Sequence, residues 1–233
     1  MTDSRNHDYW NHNVAHHARI VRAMPPHCRS ALDVGCGDGL LAQKLAARAT
    51  WVVALDASPE MAVQARRRTA GLDVEVVEAD FLAAVRDGVL PRHSFSFVTS
   101  VAALHHMDPE PALQAMASLL EPGSRLAVAG LAMSRSALDW LIAAAQLPVV
   151  HGIRLAHGGK SGPDGMPVSF DAIPSWAQSK QTALEALPGA RWHRTLQLRY
   201  LIEWTAPGRA PIGLRQAPAA RTAHTAGEPP AMH

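Results

Sequence analysis

Ser30 to Asp56 reads SALDVGCGDGLLAQKLAARATWVVALD: a strand, a glycine-rich turn, a helix, and a second strand that ends in an acid. Ala31, Leu32 and Val34 suit a short buried parallel strand, and Gly35, Gly37 and Gly39 punctuate a tight turn. Leu40, Leu41 and Leu45 give the next helix one apolar face, with Gln43, Lys44 and Arg48 turned to water. Trp51, Val52, Val53, Ala54 and Leu55 predict a second buried strand that delivers Asp56 to its carboxyl end. In open parallel sheets ligands bind at that edge.

Glycine spacing narrows the choice of ligand. A dinucleotide turn wants its third glycine three residues after the second, and this chain has Leu40 there. An NAD-dependent oxidoreductase therefore fits the strand-turn-helix-acid plan but misses the spacing. The pattern Asp33-x-Gly35-x-Gly37-x-Gly39 resembles motif I of the class I S-adenosylmethionine-dependent methyltransferases. Three further stretches follow in that family's order. DVEVVEADF (73–81) is similar to its third strand, SFSFVTSV (94–101) with AALHHM (102–107) to its fourth strand and the loop after it, and LLEPGSRLAVAGL (119–131) to its LLxPGGxL turn and fifth strand. Ser124 replaces the second glycine of that turn. The resemblance spans Arg29 to Leu131, and more loosely Ser175 to Thr205.

The resemblance implies an α/β fold: a Rossmann-like, doubly wound, seven-stranded sheet, mostly parallel, with an antiparallel final strand and helices on both faces. It implies S-adenosyl-L-methionine as cofactor. Backbone groups around Gly35 and Gly37 would meet its methionine portion, with Asp33 closing the turn from below, and Asp56 would hold its ribose; Cys36, Gly39 and Ala57 belong to the same cofactor-binding set. Asp80 and Phe81 would take the adenine, and Met61, Ser100 and Val101 complete the expected set. His105 and His106 fall in the loop that the family places beside the transferred methyl. A neutral imidazole there can take a proton near pH 7, so these two are the candidate catalytic residues.

Bulk properties exclude several classes of function. The chain has 233 residues, enough for one domain with a substantial core. Lys plus Arg is 22 against 20 Asp plus Glu, so the net charge of +2 calls for no polyanion partner. Arg66, Arg67 and Arg68 form the one tight basic run; without interleaved aromatics it reads as a solvated helix face rather than a nucleic-acid patch. Cys28 and Cys36 cannot build a disulfide framework, and the start MTDSRNHDYWNHN has no apolar core. Leu138 to Val150, the most apolar segment, is broken by Gln146 and Pro148 and too short to span a bilayer. A cytoplasmic protein without nucleic-acid or membrane partners is expected; the sequence leaves its oligomeric state open.

One methyltransferase domain is expected over residues 1–205, with its cofactor-binding core at 29–131. Residues 10–24 carry Trp10, Val14, Val21 and Met24 at helical spacing and read as an amino-terminal helix, by resemblance a cover over the pocket. Ser58-Pro59-Glu60 and Asp108-Pro109-Glu110 each start a helix, through a capping side chain, a proline at the first position and an early acid. Residues 137–173 begin as an apolar helix and pass into a polar, glycine-rich loop, a lid-like insertion expected to choose the substrate. Arg135, Arg154 and Lys160 there could attract an acidic acceptor. The remaining helix and strands fall at 175–205, with the hairpin turn unmarked, and 207–233 reads as a disordered tail.

The acceptor expected is a small molecule, because no extra domain is present to grip a macromolecule. A cofactor-retaining protein with a scaffolding role is the alternative. No metal is expected: His12 and His16 could share a helix face, but they lack a third ligand.

Overall fold

A computed structural model describes residues 9–156, 173–196 and 198–208, with the side chains of residues 153–156 left aside. The chain begins with α1 (Val14–Ala23), which Pro25 ends, and continues through β1 (Cys28–Val34), α2 (Leu40–Ala46), β2 (Ala49–Asp56) and α3 (Pro59–Arg68). Next come β3 (Val74–Glu78), α4 (Phe81–Arg86), β4 (Phe95–Val101), α5 (Pro109–Leu119) and β5 (Leu120–Leu131). The last elements are α6 (Ala137–Ala156), α7 (Trp176–Ala186), β6 (Arg191–Arg194) and β7 (Arg199–Thr205).

The strands form one sheet in the order β3-β2-β1-β4-β5-β7-β6. All neighbours from β3 to β5 are parallel, and β7 is antiparallel to both β5 and β6. This is the expected Rossmann-like sheet. Because parallel strands must bury both faces, alternate residues divide between two cores. Val53, Leu55, Val98 and Val128 pack with α4, α5 and α7; Val52, Ala54, Phe97 and Ala129 pack with α1, α2 and α3.

Several local expectations need correction. Trp51 is 38% exposed rather than buried, its indole stacked on Phe95 with ring centroids 6.2 Å apart. Trp10 precedes α1, since Asn11 caps that helix by accepting from the N–H groups of Asn13 and Val14. Leu196 and Leu198 lie in the β6–β7 turn, where Leu198 takes φ +59° and Thr195 bonds the Arg199 carbonyl through both N–H and hydroxyl. Arg68 is not a solvated residue either. It is largely buried, and Nη2 meets Asp38 Oδ2 at 2.7 Å. Asp80 ends no strand; it caps α4, a helix the sequence did not announce.

Helix α6 stands apart from the core. Leu138, Trp140, Leu141 and Leu147 are each more than 60% exposed, and an Asp139–Arg194 ion pair of 2.8 Å ties its first turn to the sheet. The polar loop at 157–172 and the tail beyond 208 lie outside the described residues. Among the described residues, no helix is long and apolar enough to cross a membrane.

Candidate functional site

The carboxyl edge of the sheet opens into a cavity of about 560 Å³, within the range of small-molecule sites. Its floor is the glycine turn after β1. Gly37 has φ +56°, and a Cβ built on it would meet no protein atom within 4 Å. Gly35, at φ +71°, is needed for another reason: a Cβ there would stand 2.2 Å from that of Ala103 in the loop after β4. The two loops approach so closely that only glycine fits.

Asp56 holds this turn from the end of β2. Its Oδ2 accepts from the Gly37 N–H at 2.8 Å and its Oδ1 from the Ser58 N–H at 2.9 Å. Each carboxylate oxygen has a second acceptor position, so Asp56 can still receive hydroxyls from a ligand. Asp33 lies beneath, 1% exposed, with Oδ2 buried and without a hydrogen bond. Burial raises its carboxyl to about 8, reinforced by Asp56 and Asp38. Cys36 packs in the turn, its thiol pushed well up by burial, so it is an inert filler rather than a nucleophile.

A network the sequence did not reveal secures the same turn. Asp38 accepts from Tyr9 Oη at 3.1 Å and from Arg68 Nη2 at 2.7 Å, while Arg68 Nε reaches the Asp38 carbonyl at 3.2 Å. The guanidinium also lies over the Tyr9 ring, 5.9 Å from its centroid. Residues before α1 are thereby fastened to the glycine turn and to α3. No local signal announces it, because Asp38 lies in the glycine turn and Arg68 thirty residues on, at the end of α3.

The far wall comes from the loop after β4 and from β5 and β7. Ala102 takes φ +55°, sparsely populated for a residue with a Cβ, and leads into a short 3-10 turn, Leu104–His106. His105 and His106 line the cavity with ring centroids 4.0 Å apart. Burial, then His106, then Arg199 lower His105 to about 4. At neutral pH His105 is therefore uncharged. Arg199, at the start of β7, completes this wall.

Of the expected site residues, Asp33, Gly35, Cys36, Gly37, Asp56, Ala57, Met61, Asp80, Phe81, Val101, His105 and His106 all line the one cavity. Two do not. Gly39 caps α2 at φ +81°, and Ser100 is fully buried within β4. Asp80 spends Oδ1 on the Ala83 N–H at 2.8 Å. From α1 and the residues before it come Tyr9, Asn11, Asn13, Val14 and His17; no described residue of α6 lines the cavity. Arg135 bonds the Ile173 carbonyl outside it, and Arg154 and Lys160 fall beyond the described side chains. Among the described residues no cluster of three His, Cys, Asp or Glu could hold a metal, His12 and His16 included.

A family model described as "Methyltransferase domain" matches residues 31–123. An uncharacterized methyltransferase of Mycobacterium tuberculosis is 32% identical over 201 residues, covering 85% of this chain and 98% of the relative. A ubiquinone biosynthesis O-methyltransferase of Xanthomonas euvesicatoria is 39% identical over 100 residues, 41% of this chain and 40% of that protein. Among solved structures, a SAM-dependent methyltransferase from Aquifex aeolicus shares the fold, with a TM-score of 0.55 and 17% identity over 81% of this chain and 88% of that one. An N-methyltransferase from Bradyrhizobium japonicum also has a TM-score of 0.55, at 14% identity over 83% and 96% of the two chains.

Proposed function

From this chain's membership of the class I S-adenosylmethionine-dependent methyltransferase family, we infer that its cavity methylates a small-molecule acceptor seated between the cofactor and the His105–His106 wall. The cofactor supplies a methyl on a sulfonium, an electrophile that carries its own leaving group. The residues present fit it. Gly37 leaves its backbone open to the cavity, Asp33 keeps an unpartnered buried oxygen beneath the turn, and Asp56 retains acceptor positions for ribose hydroxyls.

What remains for the chain is alignment and exclusion of water, which can contribute much of a bimolecular barrier. The observation that carries the reading is continuity: the turn after β1, the end of β2, the residues just after β3, the histidine loop and the start of β7 line a single cavity. Neutral His105 suits a hydrogen-bonding role that orients the acceptor. It takes a proton only from a group that methyl transfer has made strongly acidic. His106, beside it, is the partner proposed for the same wall.

The test is transfer of label from methyl-labelled S-adenosylmethionine to a cell extract separated by size. We expect label in the small-molecule fraction, lost in His105→Ala/His106→Ala protein that still binds cofactor. Label confined to macromolecules, or cofactor binding with no transfer at all, refutes the proposal. Asp56→Asn should weaken cofactor binding about tenfold or more by calorimetry, since it removes a charged acceptor; an unchanged affinity would refute the ribose role.

A further inference from the structure

Helix α1 brings to the cavity a polar side chain that neither the glycine turn nor the histidine loop accounts for. His17 lines the cavity, is 7% exposed, and its Nδ1 is buried without a hydrogen-bond partner. Leaving a buried polar atom unpaired is costly, and each one in a native fold calls for an explanation. A ligand that hydrogen-bonds the ring supplies one.

The fold decides which end of the cavity His17 serves. Helix α1 runs against the parallel strands: Arg125, in the first half of β5, donates to the Ala23 carbonyl at 3.3 Å, and Arg48, just beyond α2, to the Val21 carbonyl at 2.8 Å. The last turn of α1 is thereby held at the far edge of the sheet, and its first turns, with Val14 and His17, reach the ligand-binding edge. Ile20, one turn after His17, packs in one cluster with Cys36 and Leu41. This face of α1 therefore lies against the glycine turn and the start of α2. Electrostatics give the same placement. His17 feels Lys44 of α2 and its neighbour His16, whereas Arg199 acts on His16 and His105. Successive helical residues point about 100° apart, so His16 lies towards Arg199 and His17 towards the glycine turn.

The imidazole is neutral at pH 7, since burial, then Lys44, then His16 lower it to about 3. In that form it offers one N–H donor. The part of the cofactor that meets the glycine turn ends in an ammonium and a carboxylate. Asp33, Asp38, Asp56 and Asp80 belong to that turn, the end of β2 and the residues just after β3; acids suit the ammonium and repel the carboxylate. His17 approaches from the other flank, on a helix packed against α2 and β5, and the groups that act on it are Lys44 and His16, not these acids. We propose that His17 is a cofactor-binding residue that donates to the carboxylate of the methionine portion of S-adenosylmethionine. This rests on the family's cofactor and not on the acceptor read above, so titrations without an acceptor test it separately.

The experiment titrates S-adenosylhomocysteine and decarboxylated S-adenosylhomocysteine calorimetrically into wild type, His17→Leu, His17→Phe and His17→Gln. The two ligands share adenosine, sulfur and ammonium and differ only in the carboxylate. Wild type should bind the carboxylate form at least about tenfold more tightly, because a hydrogen bond to a charged group is worth that much. His17→Leu and His17→Phe remove the donor in two shapes; each should cut the preference about tenfold or more, with affinity for the decarboxylated ligand within about twofold of wild type. His17→Gln keeps an N–H donor and should retain part of the preference. A purely structural histidine would not discriminate between the ligands. Because an apolar side chain leaves no nitrogen unpaired, the Tm of cofactor-free His17→Leu should not fall, while its gain in Tm on adding S-adenosylhomocysteine should shrink. Survival of the full preference in both apolar variants, equal weakening of both ligands, or a wild type without the preference overturns the proposal.

Discussion

Asp33 is a buried carboxyl beside two other acids, and Asp33→Asn measures its electrostatic cost directly. The carboxyl is 1% exposed, one oxygen has no hydrogen bond, and Asp56 and Asp38 add like charge. Burial dominates and raises it from 3.8 to about 8, so at pH 7 the folded protein holds a proton that the unfolded chain has released. Stability from this group is therefore complete below about pH 4 and is lost progressively as pH rises to about 8. Over the whole interval the loss is on the order of 6 kcal/mol, and near pH 7 the slope is about −1 kcal/mol per pH unit.

Buried histidines work in the opposite direction at lower pH. His16 and His105 are lowered to about 4 and His17 to about 3, each mainly by burial, so their contribution grows with pH and is complete about one unit above their ordinary value of 6.5. Wild type and Asp33→Asn share these histidines, so the difference between their profiles isolates Asp33. Urea unfolding of cofactor-free protein at half-unit steps from about pH 6.5 to 8 should show the wild type losing about 1.5 kcal/mol relative to Asp33→Asn, with the variant the more stable at pH 8. Parallel profiles would refute the reasoning, because they would mean that Asp33 is already ionised in the folded state.

Three further substitutions probe the same turn. Gly35→Ala drives a Cβ to 2.2 Å from Ala103 at positive φ, so a loss of roughly 2–5 kcal/mol is expected, read by thermal unfolding. Gly37→Ala meets no protein atom; stability should fall by only about 1–2 kcal/mol, with cofactor affinity by calorimetry falling at least about tenfold, and normal affinity would mean that no ligand lies against that backbone. Arg68→Met leaves Asp38 buried with only Tyr9 and the Leu40 N–H as partners, at a cost of about 3 kcal/mol and a drop in Tm of about 6–12 °C.

The parallel part of the sheet was legible because each of its strands is a short apolar run closed by a turn residue, as at Ala31–Val34 and Phe95–Val101. Ser58-Pro59 and Asp108-Pro109 marked two helix starts for equally local reasons; both residues stand at the N-cap, but only Ser58 caps through its side chain, and Asp108 makes no such bond. What stayed hidden depends on contacts between distant residues. Nothing near Arg68 announces a partner thirty residues back, and nothing near Trp51 says that it stays partly exposed. Asp80 looked like a strand end because the α4 sequence FLAAVR is too short to show a period. The β6–β7 turn stayed unmarked because Leu198, without a glycine's freedom, nevertheless takes positive φ.

Arg199 is the instructive omission. By sequence it is one arginine among many, 164 positions after Gly35. What selects it is strand direction. Parallel strands β1, β2, β4 and β5 bring their last residues to the ligand-binding edge, so a search of that edge looks at strand ends. An antiparallel strand in the same sheet brings its first residue there. Because β7 lies beside β5 with Arg199 opposite Leu131, the start of a late strand becomes part of a site whose other residues close early ones. The acids that line the cavity come from the parallel half of the sheet and Arg199 from the reversed strand, so the reversal is what adds a late residue to a site built from early ones.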